Sequence, residues 1–239
     1  MKLSERMVGQ WLRRWLPFKI VTKGGWFGYS SIQDAVSACA NSDKKLILVG
    51  PGTFSEVVTI AVNNLMMVGC GASTVIDGGT RGTAVYVTGA DVVLAFMSAT
   101  TTAGSGNSYQ AWYLNGPRFL ALRLAAVDSD EYGFRVESSG SGTMAFCIVY
   151  TSDASNVRLA GRVTMIGCHL ITCAATYAVQ GVSTGDHSII VANFIEGGGT
   201  DGVNIAAGMD DCVAAANVTN TGVTDASGSG EITGSNNEY

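Results

Sequence analysis

Ala84-Val85-Tyr86-Val87, Ala111-Trp112-Tyr113-Leu114, Gly133-Phe134-Arg135-Val136, Asn156-Val157-Arg158-Leu159, Ala178-Val179-Gln180-Gly181 and Gly202-Val203-Asn204-Ile205 repeat one short pattern. Each has a small residue, an apolar residue, an outward residue and an apolar or small residue. Their starts lie 27, 22, 23, 22 and 24 residues apart. Self-similarity at such a period marks a solenoid or array. Within each segment the alternation has period two, so these are strands with one face in and one face out. A unit of about 23 residues holding several short strands is one coil of a parallel β-helix. Function then belongs to the outer surface, because the inside is packing.

A second element recurs in every coil: Val93 to Met97, Leu120 to Leu124, Met144 to Ile148, Met165 to His169, Ile190 to Phe194 and Ala214 to Val218. Aligned on this element, the coils are expected to stack Met97, Arg123, Cys147, Cys168, Asn193 and Asn217 at one position. Stacked Asn side chains donate amide hydrogen bonds along the axis of in-register coils, so Asn193 and Asn217 read as structural. The Asn217-Val218-Thr219 sequon is discounted on the same ground.

The chain has 239 residues, enough for one large all-β domain, with 31 Gly, 47% hydrophobic and only 14% charged residues. That composition suits coils that bury a continuous core and does not suit disorder. No apolar run reaches the ~18 residues of a membrane span. The N-terminus lacks the apolar stretch and cleavage site of a secretory signal. Cys39, Cys70, Cys147, Cys168, Cys173 and Cys212 form no CxxC pair and fall at apolar positions. They are expected to be small buried hydrophobes of a protein made in a reducing cytoplasm.

Residues 1–23 carry a net charge of +5 within a chain of net −5, leaving −10 on the remainder. A basic arm on an acidic body suggests two separate jobs. Residues 4–16 read as an amphipathic helix, with Leu3, Met7, Trp11, Leu12 and Trp15 on one face and Arg6, Arg13 and Arg14 largely opposite. Trp11 and Trp15 are costly to leave in water. Insertion into a partner protein, packing on the body or a sister subunit, and a membrane surface each satisfy them. Residues 24–44 hold a linker and a short helix, Ser31 to Ala40, that caps the open apolar end of the solenoid. Residues 45–239 form the β-helix, closed by a polar tail in which Glu231-Ile232-Thr233 is expected to be a strand.

Residues 29–79 carry a more specific pattern: Tyr29-Ser30-Ser31-Ile32-Gln33-Asp34-Ala35-Val36, Pro51-Gly52-Thr53-Phe54-Ser55-Glu56, and Gly69-Cys70-Gly71 with Thr74-Val75-Ile76-Asp77-Gly78. This run resembles the opening of pectin-lyase-like right-handed β-helix proteins. That superfamily includes pectinesterases, pectate lyases, polygalacturonases, and the tailspikes and appendages of bacteriophages. The resemblance implies a right-handed parallel β-helix and leaves activity open. Tyr109-Gln110-Ala111 looks like the first Gln motif of pectinesterases. Where their Gln-Asp pair should follow, this chain has Ser129-Asp130-Glu131-Tyr132, and it has no D-F-I-F-G or G-R-P-W segment. Asp210-Asp211 lacks the nearby G-H-G loop of polygalacturonases. No Asp cluster beside an Arg matches the calcium site of pectate lyases.

Asp128, Asp130 and Glu131 form the densest carboxylate group and are the weak catalytic candidates, since glycosidases work with a carboxylate pair. Three acids at a coil corner also suit a solvated turn. Asp186-His187 and the outward His169 are weaker candidates of the same kind. The outward stripe of Tyr86, Tyr113, Arg135, Arg158, Gln180 and Asn204 suits a contact: with another subunit, or with a glycan by ring stacking and hydrogen bonds. Two function classes follow. One is a structural component of a bacteriophage virion, a short spike or decoration protein. It would be homotrimeric, anchored to capsid or tail proteins by the arm through Trp11, Arg13, Arg14 and Trp15, and able to attach to a host-surface glycan. The other is a polysaccharide-degrading lyase or hydrolase. Neither calls for a cofactor, a metal or a nucleic-acid partner.

Overall fold

The computed structural model describes residues 18–24, 28–42, 45–102, 109–175, 177–182, 187–196, 201–207, 209–219, 222–225 and 237–238. The arm helix with Trp11, Arg13, Arg14 and Trp15, and the tail strand at Glu231 to Thr233, lie outside them.

The protein is an all-β parallel solenoid. Among the described residues one sheet has eight strands and the other sixteen, and every strand pairing is parallel. The eight-stranded sheet is built from the repeat read in the sequence: Val58–Ile60, Val85–Val87, Trp112–Leu114, Phe134–Val136, Val157–Leu159, Tyr177–Gly181, Asp201–Ile205 and Val223–Asp225. Their apolar positions point inward: Val85, Val87, Trp112, Leu114, Phe134, Val136, Val157 and Leu159 are each 0% exposed. The Trp112 and Phe134 rings stack in neighbouring coils, 6.1 Å apart and 11° from parallel. Like side chains thus sit on like side chains, and burial of each coil depends on its neighbours.

The coil passes through the sixteen-stranded sheet in two limbs. Between them lies a column of left-handed residues: Phe96 (φ 58°), Arg123 (φ 50°), Phe146 (φ 55°), Gly167 (φ 63°), Ala192 (φ 54°) and Ala216 (φ 54°). One such residue per coil interrupts the alternation and turns the chain. The residue after it points inward again. That inward column is Met97, Leu124, Cys147, Cys168, Asn193 and Asn217. Leu124 pairs with Met97, and Ala125 with Ile148. Arg123 is therefore not in the column with Met97 and Cys147 that the sequence alignment predicts; Leu124 takes that place. The alternation of Leu122, Arg123 and Leu124 hides the break, and Arg123 turns outward over the Phe96 ring at 5.9 Å.

The turn leaves backbone carbonyls for the inward column to satisfy. Asn217 Nδ2 donates to Ile190 O at 2.9 Å and Asn193 Nδ2 to Met165 O at 3.2 Å. The Cys168 and Cys147 thiols donate to Met144 O at 3.7 Å and Ala121 O at 3.5 Å. Asn193 Nδ2 also donates to Asn217 Oδ1 at 3.0 Å, while Asn193 Oδ1 accepts Cys168 N–H at 2.9 Å. The Asn stack is structural as expected, and Asn217 is 0% exposed. Cys39, Cys147, Cys168 and Cys212 are buried, and burial pushes the Cys147 thiol up. Cys70 departs from the expectation. It precedes a 3-10 turn (Gly71–Ser73) at the coil corner and is exposed.

The N-terminal end is closed by two elements. Strand β1 (Lys19–Val21) adds in register to Leu46–Val49, so the body begins inside the segment read as the arm. Helix α1 (Ile32–Ser37) buries Ile32, Ala35 and Val36 over the open core. The motif residues at 31–33 and 56 hold this cap. Ser31 accepts Asp34 N–H at 3.2 Å as the N-cap. Glu56 accepts Ile32 N–H at 2.8 Å, Gln33 N–H at 3.0 Å and the Ser31 hydroxyl at 2.9 Å. A carboxylate thereby satisfies the free N–H groups of the first turn.

On the first limb, the outward residues of the sixteen-stranded sheet form two columns. One is Leu46–Met66–Val93–Leu120–Thr143–Thr164–Ile189–Val213 and the other Leu48–Val68–Ala95–Leu122–Ala145–Ile166–Val191–Ala215. Neither column contains a charge. No helix among the described residues is long and apolar enough to cross a membrane.

Candidate binding surface

The outward positions of the eight-stranded sheet stack in one unbroken line: Thr59, Tyr86, Tyr113, Arg135, Arg158, Gln180, Asn204 and Thr224. The six residues expected to share one stripe share it, one per coil. Parity alone achieves this, because each sits between two inward residues of its strand.

The stripe is polar but tightly connected. The Tyr86 and Tyr113 rings are 4.6 Å apart and tilted by 33°. The Arg135 guanidinium lies 5.4 Å from the Tyr113 ring centre. Its Nε donates to Glu137 Oε1 at 2.5 Å, and Nη1 lies 3.7 Å from Glu131 Oε2. Arg158 Nη1 reaches the same Glu137 oxygen at 3.5 Å. Burial, with the Glu137 carboxylate beside it, pushes the Tyr113 phenol up to about 12. Burial and Glu131 likewise push up the phenol of Tyr132.

Behind the stripe, Gln110 links two coils. It accepts the Thr83 hydroxyl at 3.1 Å and donates through Nε2 to Glu131. Glu131 is thus held from behind by an amide and from the front by Arg135. Glu137 escaped the sequence reading. It lies two residues past Arg135 and so on the same face, a signal that strand parity carried.

The three acids at 128–131 are not used alike. Asp128 is exposed, and its backbone carbonyl accepts Thr101 N–H at 2.9 Å. Asp130 accepts Tyr109 N–H at 3.2 Å and so ties its corner to the preceding coil. Glu131 alone joins the stripe. His169 pairs with Glu196 at 2.9 Å and meets the Phe194 ring edge-on at 5.0 Å. His187 pairs with the exposed Asp211 at 3.2 Å, while Asp186 lies outside the described residues.

This arrangement is a row of aromatic faces, guanidinium groups and carboxylates spaced by the coil repeat of about 4.8 Å. Tyrosine rings offer flat apolar faces with a polar edge, and the Arg–Glu pairs offer fixed donors and acceptors. No protein-family model matches the chain, and no curated protein or solved structure does.

Proposed function

We propose that this chain is a structural protein displayed on a bacteriophage particle. In this reading it is a right-handed, pectin-lyase-like β-helix, three copies to a spike. The basic N-terminal arm joins it to capsid or tail proteins, and the eight-stranded sheet meets a host-surface glycan. The observation that carries the reading is the Tyr86–Tyr113–Arg135–Arg158 line. A polymer lying along the solenoid axis meets a ring or a guanidinium at four successive coils, so weak contacts add along its length. The Glu131 and Glu137 pairs hold the guanidinium groups in place beforehand, which lowers the ordering cost of binding. A cytoplasmically made body with an arm of opposite charge fits assembly onto a particle before release.

One observation favours the second reading, a polysaccharide-degrading enzyme. Glu131 and Glu137 both reach Arg135, so two carboxylates flank one point of the sheet.

A single experiment separates the two. The purified full-length protein is passed over immobilised bacterial surface polysaccharides, and the length of the recovered polymer is measured. Retention that falls at least tenfold in Tyr113→Ala, with polymer length unchanged, supports the display reading. Shortening of the polymer that stops in Glu131→Gln overturns it in favour of the enzyme. Absence of retention across the panel removes the glycan from the proposal.

A further inference from the structure

The outward line of the eight-stranded sheet carries cations but has none to spare. Its strands contain four charged residues: Arg135, Arg158, Asp201 and Asp225. Glu131 and Glu137 lie before and after the strand at 134–136 and close on both guanidinium groups. Arg135 Nε donates to Glu137 Oε1 at 2.5 Å, and its Nη1 lies 3.7 Å from Glu131 Oε2. Arg158 Nη1 lies 3.5 Å from the same Glu137 oxygen. These four side chains are only 20–27% exposed, so solvent and salt screen the pairs incompletely.

The rest of the line is uncharged. Burial, with Glu137 beside it, keeps the Tyr113 phenol protonated up to about 12. Thr59, Tyr86, Gln180, Asn204 and Thr224 complete the line. The Gln180 and Asn204 side-chain amides have no hydrogen-bond partner among the described residues, although Asn204 is only 9% exposed. An open amide offers a donor and an acceptor together, and a nearly buried one is costly until a ligand meets it.

An anion brought to Arg135 or Arg158 must displace the carboxylate that already holds it, or lie beside that carboxylate and be repelled. Carboxylates only accept hydrogen bonds, so Glu131 and Glu137 favour hydroxyl donors in an incoming chain. The longer-range field acts in the same direction, because residues 24–239 carry a net charge of −10 against +5 on residues 1–23.

We infer that the polymer taken by this sheet is an uncharged, hydroxyl-rich glycan, and that Glu131 and Glu137 exclude acidic ones. The inference rests on the reading of this sheet as a glycan-binding surface. The two carboxylates then have two effects: they orient the guanidinium groups and they repel the wrong class of ligand.

The test is retention of the full-length protein on immobilised bacterial surface polysaccharides of known composition, sorted by whether they carry carboxylate or phosphate groups. Retention is expected on uncharged members, roughly tenfold weaker or less on acidic ones, and nearly constant from about 50 to about 500 mM salt. Glu137→Gln keeps the shape of the side chain and removes the charge that holds both guanidinium groups. With its β-sheet circular dichroism intact, it should raise the acidic-to-uncharged retention ratio roughly tenfold and make acidic retention fall with salt. Glu131→Gln frees Arg135 alone and should act in the same direction more weakly. Wild-type preference for acidic polymers, lost as salt rises, overturns the inference and leaves the glycan reading standing; this comparison needs no variant. A ratio that neither folded variant moves also overturns it. Absence of retention on every member removes the glycan itself, and the inference with it.

Discussion

Gln33 stands in for a strand beside Thr59. The Thr59 N–H donates to Gln33 Oε1 at 2.7 Å, and Gln33 Nε2 returns a bond to Thr59 O at 3.4 Å. Val58–Ile60 is the edge strand of the eight-stranded sheet, and an open edge invites pairing with another chain. One side-chain amide blocks it, while Ile32 of the same helix fills the core end. The Ser-Ile-Gln run thus combines an N-cap, a plug and an edge stop in three residues.

Loss of the Glu56 carboxylate should loosen this cap more than any other single change at the N-terminal end. Glu56→Ala frees two helix N–H groups and the Ser31 hydroxyl. Charge-assisted bonds of this type contribute more than neutral ones, so the expected loss is about 2–3 kcal/mol. Urea unfolding of wild type and variant measures it. Faster amide exchange should be confined at first to residues 28–42.

The Asn stack sets a second expectation. Asn193→Leu removes side-chain partners from Cys168 N–H and Met165 O inside the core, while Asn217 Oδ1 keeps the backbone N–H of residue 193. Buried polar groups left unpaired cost about 1–3 kcal/mol each, so a loss of about 2–4 kcal/mol is expected. The same position holds Met97 and Leu124 in earlier coils, so an apolar residue fits the space. The damage should therefore show as lost hydrogen bonding rather than as a cavity.

Residues of the left-handed column are strained unless they are glycine. Ala192→Gly and Ala216→Gly should each stabilise the fold by up to about 1 kcal/mol, read as a rise in melting temperature. Gly167→Ala should do the opposite. Its added Cβ meets the Phe146 ring at 2.7 Å as well as the backbone penalty.

The Tyr113 phenol ionises near 12 in the folded chain against 10 for the free side chain. A raised acid pKa means that the fold favours the neutral form. Its contribution is complete below pH 10 and is lost as pH rises through 12. Tyr113→Phe should flatten the fall in stability over that interval. Ultraviolet titration of tyrosinate should lose one late-ionising group.

Much of the architecture was legible because solenoid packing repeats its constraints. Tyr86, Tyr113, Arg135 and Arg158 fell into one column from parity and spacing alone. The left-handed break was not legible. Phe96, Arg123 and Phe146 are poor residues for positive φ, and their flanking apolar residues disguise the missing alternation. Strand β1 was hidden by charge, since Lys19 groups with the basic arm although Val21 is 0% exposed. The stripe's residues were legible but its pairing was not. Glu131 sits in a cluster with Asp128 and Asp130 that the turn splits apart.

The most direct test of the account is hydrogen exchange of the full-length protein with and without a polysaccharide that it retains. The account predicts added protection in the strands at 85–87, 112–114, 134–136 and 157–159, lost in Arg135→Ala. Protection confined to the sixteen-stranded sheet, with these four strands unchanged, would contradict it.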